Sequence, residues 1–189
     1  RYWVHHNFLI VEGEKMSKSL NNFYTVQDVI KKGFDPLTLR YLYLQTNYRQ
    51  EMNFTWAALE GAQNALERLY KEMAVYDEPK IGCAEYEEQF LSAINEDLNI
   101  PKALSVLWEV VGSDYPTSAK AKTLLKFGEV LGLSLKDSKK LIQGQGKEIP
   151  QEVKKLLQER EALRKEKNYE DADKIREKII EMGYKVEDN

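Results

Sequence analysis

Lys15-Met16-Ser17-Lys18-Ser19 places two lysine cations three residues apart among two small hydroxyl side chains. Ammonium groups so spaced can hold the negative charge that accumulates on phosphate oxygens during a displacement at phosphorus, where preorganised positive charge supplies much of the rate. Ser17 and Ser19 are small enough for the backbone to approach a ligand closely, and Met16 offers an apolar anchor. A loop of this kind can close after its ligand enters. For five residues taken alone, a solvated surface loop without a catalytic role is the competing reading.

Other reactive side chains are weaker candidates. Adjacent His5 and His6 on a strand point to opposite faces, which makes them poor joint ligands for one metal, so no metal site is expected in this chain. A lone Cys83 can form neither an internal disulfide nor a cysteine cage, and a small buried or loop thiol is expected there. Arg40 could grip RNA or pair with Asp35 or Glu51, the structural reading being favoured. Trp56 and Trp108 fall on apolar stripes, where indoles serve as core anchors.

Charge is unevenly spread. The net charge of -3 argues against a surface devoted wholly to nucleic acid. From Ala84 to Asp114 Lys102 alone faces seven acids, a stretch that should repel RNA. From Thr117 to Lys155 nine lysines, Lys139 and Lys140 among them, face four acids, and a polyanion docking on the helical part is expected there. Near the C-terminus Arg160, Arg164 and Arg176 could meet RNA phosphates, but Glu159, Glu161 and Glu177 interleave with them at helical spacing, and pairing within the helices is an equal alternative.

The elements that must position these groups read mainly as helix. Phe8 to Val11 is strand-like and Glu12-Gly13 permits a tight turn, so a short β-hairpin should launch the lysine loop. Thr25 with Asp28 resembles a capping box, and Gly33 closes the helix that follows. Asp35 at an N-cap and Pro36 at the first helical position open another, with Leu37, Tyr41, Leu44 and Tyr48 at helical spacing. Thr55 caps a stripe of Leu59, Ala62, Leu66, Leu69, Met73 and Tyr76. Three further stripes follow: Tyr86, Phe90, Ile94 and Leu98; Leu104, Leu107, Trp108 and Val111 after Pro101; and Leu124, Leu125 and Leu131 after Pro116. An antiparallel helical bundle is predicted. Ser134 to Pro150, rich in Gly, Ser, Lys and Gln, reads as a break, with a linker over 134–149. A charged helix from Pro150 and a second one capped by Asn168 with Asp171 then form a hairpin that buries little by itself.

Composition fits a globular chain: 189 residues, 42% hydrophobic and 31% charged. The apolar runs are too short to cross a bilayer, no leader opens the chain, and a reducing, cytoplasmic setting is expected. Arg1 runs directly into strand-like Tyr2-Trp3-Val4, so the chain is expected to begin inside a fold.

KMSKS is the ATP-handling loop of class I aminoacyl-tRNA synthetases, and the likeness extends beyond it. FLIVEGEKMSKSLNNFYTVQDVI and GFDPLTLRYLYLQTNYRQEMNFTW resemble cysteinyl-tRNA synthetase from its signature loop into its helical bundle. Asp35 to Arg40 matches the pattern behind the name of the DALR domain. Tyr48-Arg49 with Asn53-Phe54 fits that family's "HYR…NF" stretch, with Asn47 where histidine is usual. Asn95 to Leu104 is similar to its "DDxNxPxAL" element, and Arg160 through Asp188 to its C-terminal tRNA-reading appendage. The helical hairpin also looks like an interaction motif of excision-repair proteins.

The resemblance implies the C-terminal part of a monomeric ligase that activates cysteine with ATP and transfers it to tRNA-Cys. Residues 1–34 would end a catalytic domain and include the loop and a stem-contact region, 35–133 would form the DALR-type bundle, and 150–189 an anticodon-binding extension. It implies that Lys18 contacts ATP with help from Lys15 and that Met16, Ser17 and Ser19 complete the ATP loop, while Arg40, Lys139, Lys140, Arg160, Arg164 and Arg176 are the candidate tRNA contacts that charge and position offer. It further implies that zinc serves the full-length enzyme through ligands preceding Arg1, and that the nucleotide-binding half also lies outside this chain, which alone would be inactive. The alternative is a catalytically inert, stand-alone RNA-binding module whose loop is a relic.

Overall fold

The computed structural model describes residues 3–145, 155–156, 159–160, 163–164 and 168–181. Glu12 and Gly13 take left-handed φ values of 51° and 81°, as a two-residue hairpin turn requires. Strand β1 (Leu9–Val11) thereby folds back on β2 (Glu14–Lys15), with Ile10 opposite Lys15 and Val11 opposite Glu14. A third strand, β3 (Met52–Phe54), joins parallel to the other edge of β1, pairing Leu9 with Met52 and Val11 with Phe54. Sequence periodicity did not foresee β3, because three residues are too few to show alternation and their partner lies over forty positions away.

The predicted caps form. Thr25 and Asp28 make a reciprocal capping box at α1 (Val26–Lys31), and Gly33 follows at φ 90°. The Asp35 carboxylate accepts the Leu37 N–H at 2.7 Å to start α2 (Pro36–Leu44), and Thr55 caps α3 (Trp56–Val75) through the Ala58 N–H. Next come α4 (Ala84–Asn95), α5 (Ile100–Gly112), which Asn99 caps, and α6 (Thr117–Leu131), which ends on left-handed Gly132.

These helices share one core. Tyr41, Leu59, Leu69, Leu107, Val110 and Leu124 are all 0–1% exposed. Phe90 and Phe127 stack with centroids 3.9 Å apart and planes within 8°. Two core aromatics satisfy their polar ends: the Trp108 indole N–H donates to the Tyr41 hydroxyl at 2.8 Å, and the Tyr70 hydroxyl to the Leu133 carbonyl at 3.0 Å. Trp56 packs against the same core in an aromatic cluster with Tyr24, Phe34 and Phe54, so both bundle tryptophans are anchors.

Three expectations change. Tyr48, expected on the α2 stripe, lies in the turn beyond Leu44. The third stripe stops at Asn95, and Leu98, expected on it, sits in a left-handed turn with 44% of its surface exposed. Residues 134–142, the first part of the expected linker, instead continue the first compact unit, which runs to Ile142, and 146–149 lie outside the described residues. Leu135, in a 3-10 turn over Leu135–Asp137, is 2% exposed, and α7 (Ser138–Gln145) follows directly. Gly128 makes this possible, since a Cβ there would stand 2.7 Å from the Leu135 side chain.

The second unit spans Gln143–Asn189. Its helix α8 (Tyr169–Glu181) is capped as expected: the Asn168 side chain accepts from the Asp171 N–H and donates to its carboxylate. Ala172 and Ile175 are buried. Pro150, Met182 and Gly183, which bounded the predicted hairpin helices, lie outside the described residues.

Candidate nucleotide-binding loop and its neighbours

The lysine loop is rooted by main-chain pairing and closed by one side chain. Lys15 ends β2, held opposite Ile10, and exposes its ammonium. Met16 packs against the core, the apolar anchor the sequence predicted. Asn22 then reaches back across the loop: its Oδ1 accepts the Ser17 N–H at 2.7 Å and its Nδ2 donates to the Lys15 carbonyl at 3.1 Å. Inside this clasp the Ser17 and Ser19 hydroxyls lie 3.0 Å apart, the Ser17 Oγ accepts the Leu20 N–H, and the Asn21 N–H donates to the Lys18 carbonyl. Asn21 takes φ 51°, a conformation asparagine tolerates.

The two lysines are therefore held differently. Lys15 belongs to the ladder, whereas Lys18 sits on the exposed turn, its ammonium 5.9 Å from the Phe23 ring centroid. The first can present a fixed charge, and the second can swing. Asn22 escaped the sequence reading, although an Asn-Asn pair just past a small-residue loop is a signal for such a closure.

The hairpin is tied to the bundle through the turn after α2. The Asn7 N–H donates to the Tyr48 carbonyl at 2.8 Å and its Nδ2 to the Arg49 carbonyl at 3.1 Å. Asn47, the departure from the resembled pattern, suits this turn, since its side-chain oxygen accepts the Arg49 N–H at 2.9 Å. From the same turn the Tyr48 hydroxyl and the Arg49 guanidinium reach Asp97, at the α4–α5 corner. Arg49 first and Tyr48 second hold the Asp97 carboxyl below its ordinary range, while the bond to Asp97 raises both the Tyr48 hydroxyl and the Arg49 guanidinium. Two stretches singled out by resemblance thus meet in space.

The expected RNA contacts are distributed over both compact units. Arg40 is exposed on α2 and makes no ion pair with Asp35, whose carboxylate caps the helix, or with Glu51. Its guanidinium instead lies over Gly132, where a Cβ would come within 2.9 Å of Nη1. Lys139 and Lys140 are exposed on α7, the latter 4.0 Å from Asp137. In the second unit Arg164 and Arg176 are half-buried, and Arg160 keeps only 9% of its surface exposed. His5 and His6 are exposed, and Cys83 is a buried thiol whose N–H donates to the Thr123 hydroxyl. Among the described residues no group of three His, Cys, Asp or Glu side chains is placed to hold a metal, and no helix is long and apolar enough to cross a membrane.

Comparison with known proteins decides the family. Residues 1–64 match the catalytic domain of class I (C) tRNA synthetases, and residues 146–189 the cysteinyl-tRNA ligase anticodon-binding domain. The chain is 39% identical to cysteine–tRNA ligase 1 of Burkholderia lata, covering 99% of this chain and 39% of that protein. It is 35% identical to the cysteine–tRNA ligase of Chlamydia muridarum, over 100% of this chain and 44% of that protein. With that of Dichelobacter nodosus the identity is 37%, over 100% of this chain and 42% of that protein. The chain belongs to the cysteine–tRNA ligase family. It spans about two fifths of the length of these relatives. The catalytic-domain match carries through α2 into α3.

Proposed function

We propose that this chain is the C-terminal part of a cysteine–tRNA ligase, providing the lysine loop that closes over ATP phosphates and the helical surfaces that carry tRNA-Cys. The observation that carries the reading is the loop itself: two exposed lysines, one held by a strand ladder and one on a turn that Asn22 clasps. In the activation step a cysteine carboxylate attacks the α-phosphate of ATP and pyrophosphate departs. Lys18 closes on the departing phosphates, where charge grows, and Lys15 supports it from the ladder; Met16 holds the root while the tip moves. Ser17 and Ser19 leave room for the phosphates to approach the backbone.

On the RNA side, Arg40, Lys139, Lys140, Arg164 and Arg176 offer charge to the tRNA backbone, whereas the buried Arg160 is assigned to holding its own helical unit. Zinc, with which the family selects the cysteine thiolate, is in this reading a cofactor of the full-length enzyme.

The test is Lys18→Ala in the complete ligase. Pyrophosphate exchange should fall about 10²–10³-fold, the scale for removing one preorganised contact to developing charge, with tRNA binding nearly intact. Unchanged exchange overturns the assignment. Detectable ATP binding separates this reading from an inert RNA-binding module.

A further inference from the structure

At the α4–α5 corner a single carboxylate collects three hydrogen bonds. Asp97 accepts from Arg49 Nε at 2.6 Å, from Arg49 Nη2 at 3.1 Å and from the Tyr48 hydroxyl at 2.7 Å. Its own backbone is unusual: Asp97 and Leu98 stand at φ 54° and 53°, two successive non-glycine residues in a region that L-residues visit singly. Main-chain bonds from Leu98 to Ile94 and from Asn99 to Ala93 close the corner, while the Leu98 side chain stays 44% exposed. Polar contacts rather than apolar burial therefore set its position, and strained backbone outlasts its cost only where neighbours over-determine it.

On the other side of the same ion pair an unbroken run of hydrogen bonds leads to the lysine loop. Asn7 bonds to the carbonyls of Tyr48 and Arg49, the Met52 N–H donates to the Phe8 carbonyl at 3.0 Å, β3 pairs with β1, and β1 pairs with the strand that ends at Lys15. We propose that Tyr48, Arg49 and Asp97 form a joint that fixes the angle of the lysine hairpin against the helical bundle, with Arg49 and Asp97 as positioning residues for the activation step. The role in activation rests on the reading of the loop as an ATP contact; the joint itself does not. A two-pronged guanidinium–carboxylate pair is directional where apolar contacts slide, so it suits this task. Its partners are 65% and 57% exposed, and exposed pairs add little global stability, so breaking it alters the angle before the fold.

Asp97→Asn is the sharpest probe, because asparagine tolerates the left-handed backbone while losing the charge. In this 189-residue chain, amide exchange at Asn7, Met52 and residues 9–15 should quicken about tenfold, with the core amides of Leu107 and Leu124 unchanged. Arg49→Lys, which keeps charge but loses the fork, should do the same. An unmoved hairpin overturns the joint, and so does a uniform rise that includes the core, which marks general destabilisation. In the complete ligase, Asp97→Asn should lower kcat for pyrophosphate exchange about ten- to a hundredfold with KM for ATP little changed, the penalty of misplacing a catalytic group. If Lys18→Ala lowers exchange and Asp97→Asn does not, the positioning role falls. If Asp97→Asn loosens the hairpin while Lys18→Ala costs nothing, the joint stands and the ATP reading falls.

Discussion

The lysine loop and the helical bundle are specified by opposite means. In the bundle, position follows from apolar volume: Leu59, Leu69, Leu107 and Leu124 have no exposed surface and belong to one apolar cluster, so the information is redundant. In the loop, the Asn22 clasp and a strand ladder do most of the work, and the groups that would do chemistry face solvent. Redundant packing resists substitution in its geometry but loses stability when cut. A loop held by a few polar bonds loses position first and stability hardly at all.

The largest effect should come from cutting the packed region. Phe127→Ala removes one face of the Phe90 stack at a site 2% exposed and should cost about 3–5 kcal/mol in urea unfolding. A smaller loss is expected at the bundle's polar seam. Thr123 is fully buried and its hydroxyl accepts the Cys83 N–H at 2.7 Å, so Thr123→Val orphans a buried donor for about 1–3 kcal/mol. Either variant should leave the loop's local exchange unaltered relative to the global transition. If Thr123→Val proved neutral in the same titration, the polar seam would be ornamental.

Asn22→Ala sharpens the contrast from the other side. It removes both arms of the clasp, and its stability cost should not exceed about 0.5–1.5 kcal/mol. Exchange at Ser17 and Leu20 should nonetheless rise well above that of the core, and KM for ATP in the complete ligase should increase. A variant with native loop exchange would show that the Met16 anchor and the ladder suffice.

The two regions also differed in how well they could be read. Thr25, Asp35 and Thr55 announced three helix starts because capping chemistry is local, and the stripes from Leu59 to Leu131 announced the core because helical periodicity is local too. What escaped depends on distant partners. Composition over Ser134–Pro150 suggested a linker, yet one missing Cβ at Gly128 lets Leu135 fold back into the core. Met52–Phe54 becomes a strand only beside β1. The lysine loop stood out as a motif, but its closure by Asn22 and its tie through Arg49 to Asp97, 48 positions on, did not.

That distant tie gives the smallest and most local effect. Because Arg49 and Tyr48 bond its ionised form, Asp97 should titrate below the ordinary value of 3.8. A carboxyl depressed in the folded state contributes its stabilisation above the unfolded value and loses it as pH falls through the folded one. The joint should therefore persist through mild acid and release only under strongly acidic conditions, as followed by the carbon-13 shift of the Asp97 carboxyl. Arg49→Met removes the largest cause of the depression and should bring the midpoint back up toward 3.8, while the remaining Tyr48 bond keeps it from returning fully. A midpoint indifferent to Arg49 would mean that the ion pair is absent in solution, and that the hairpin and the bundle are joined without it.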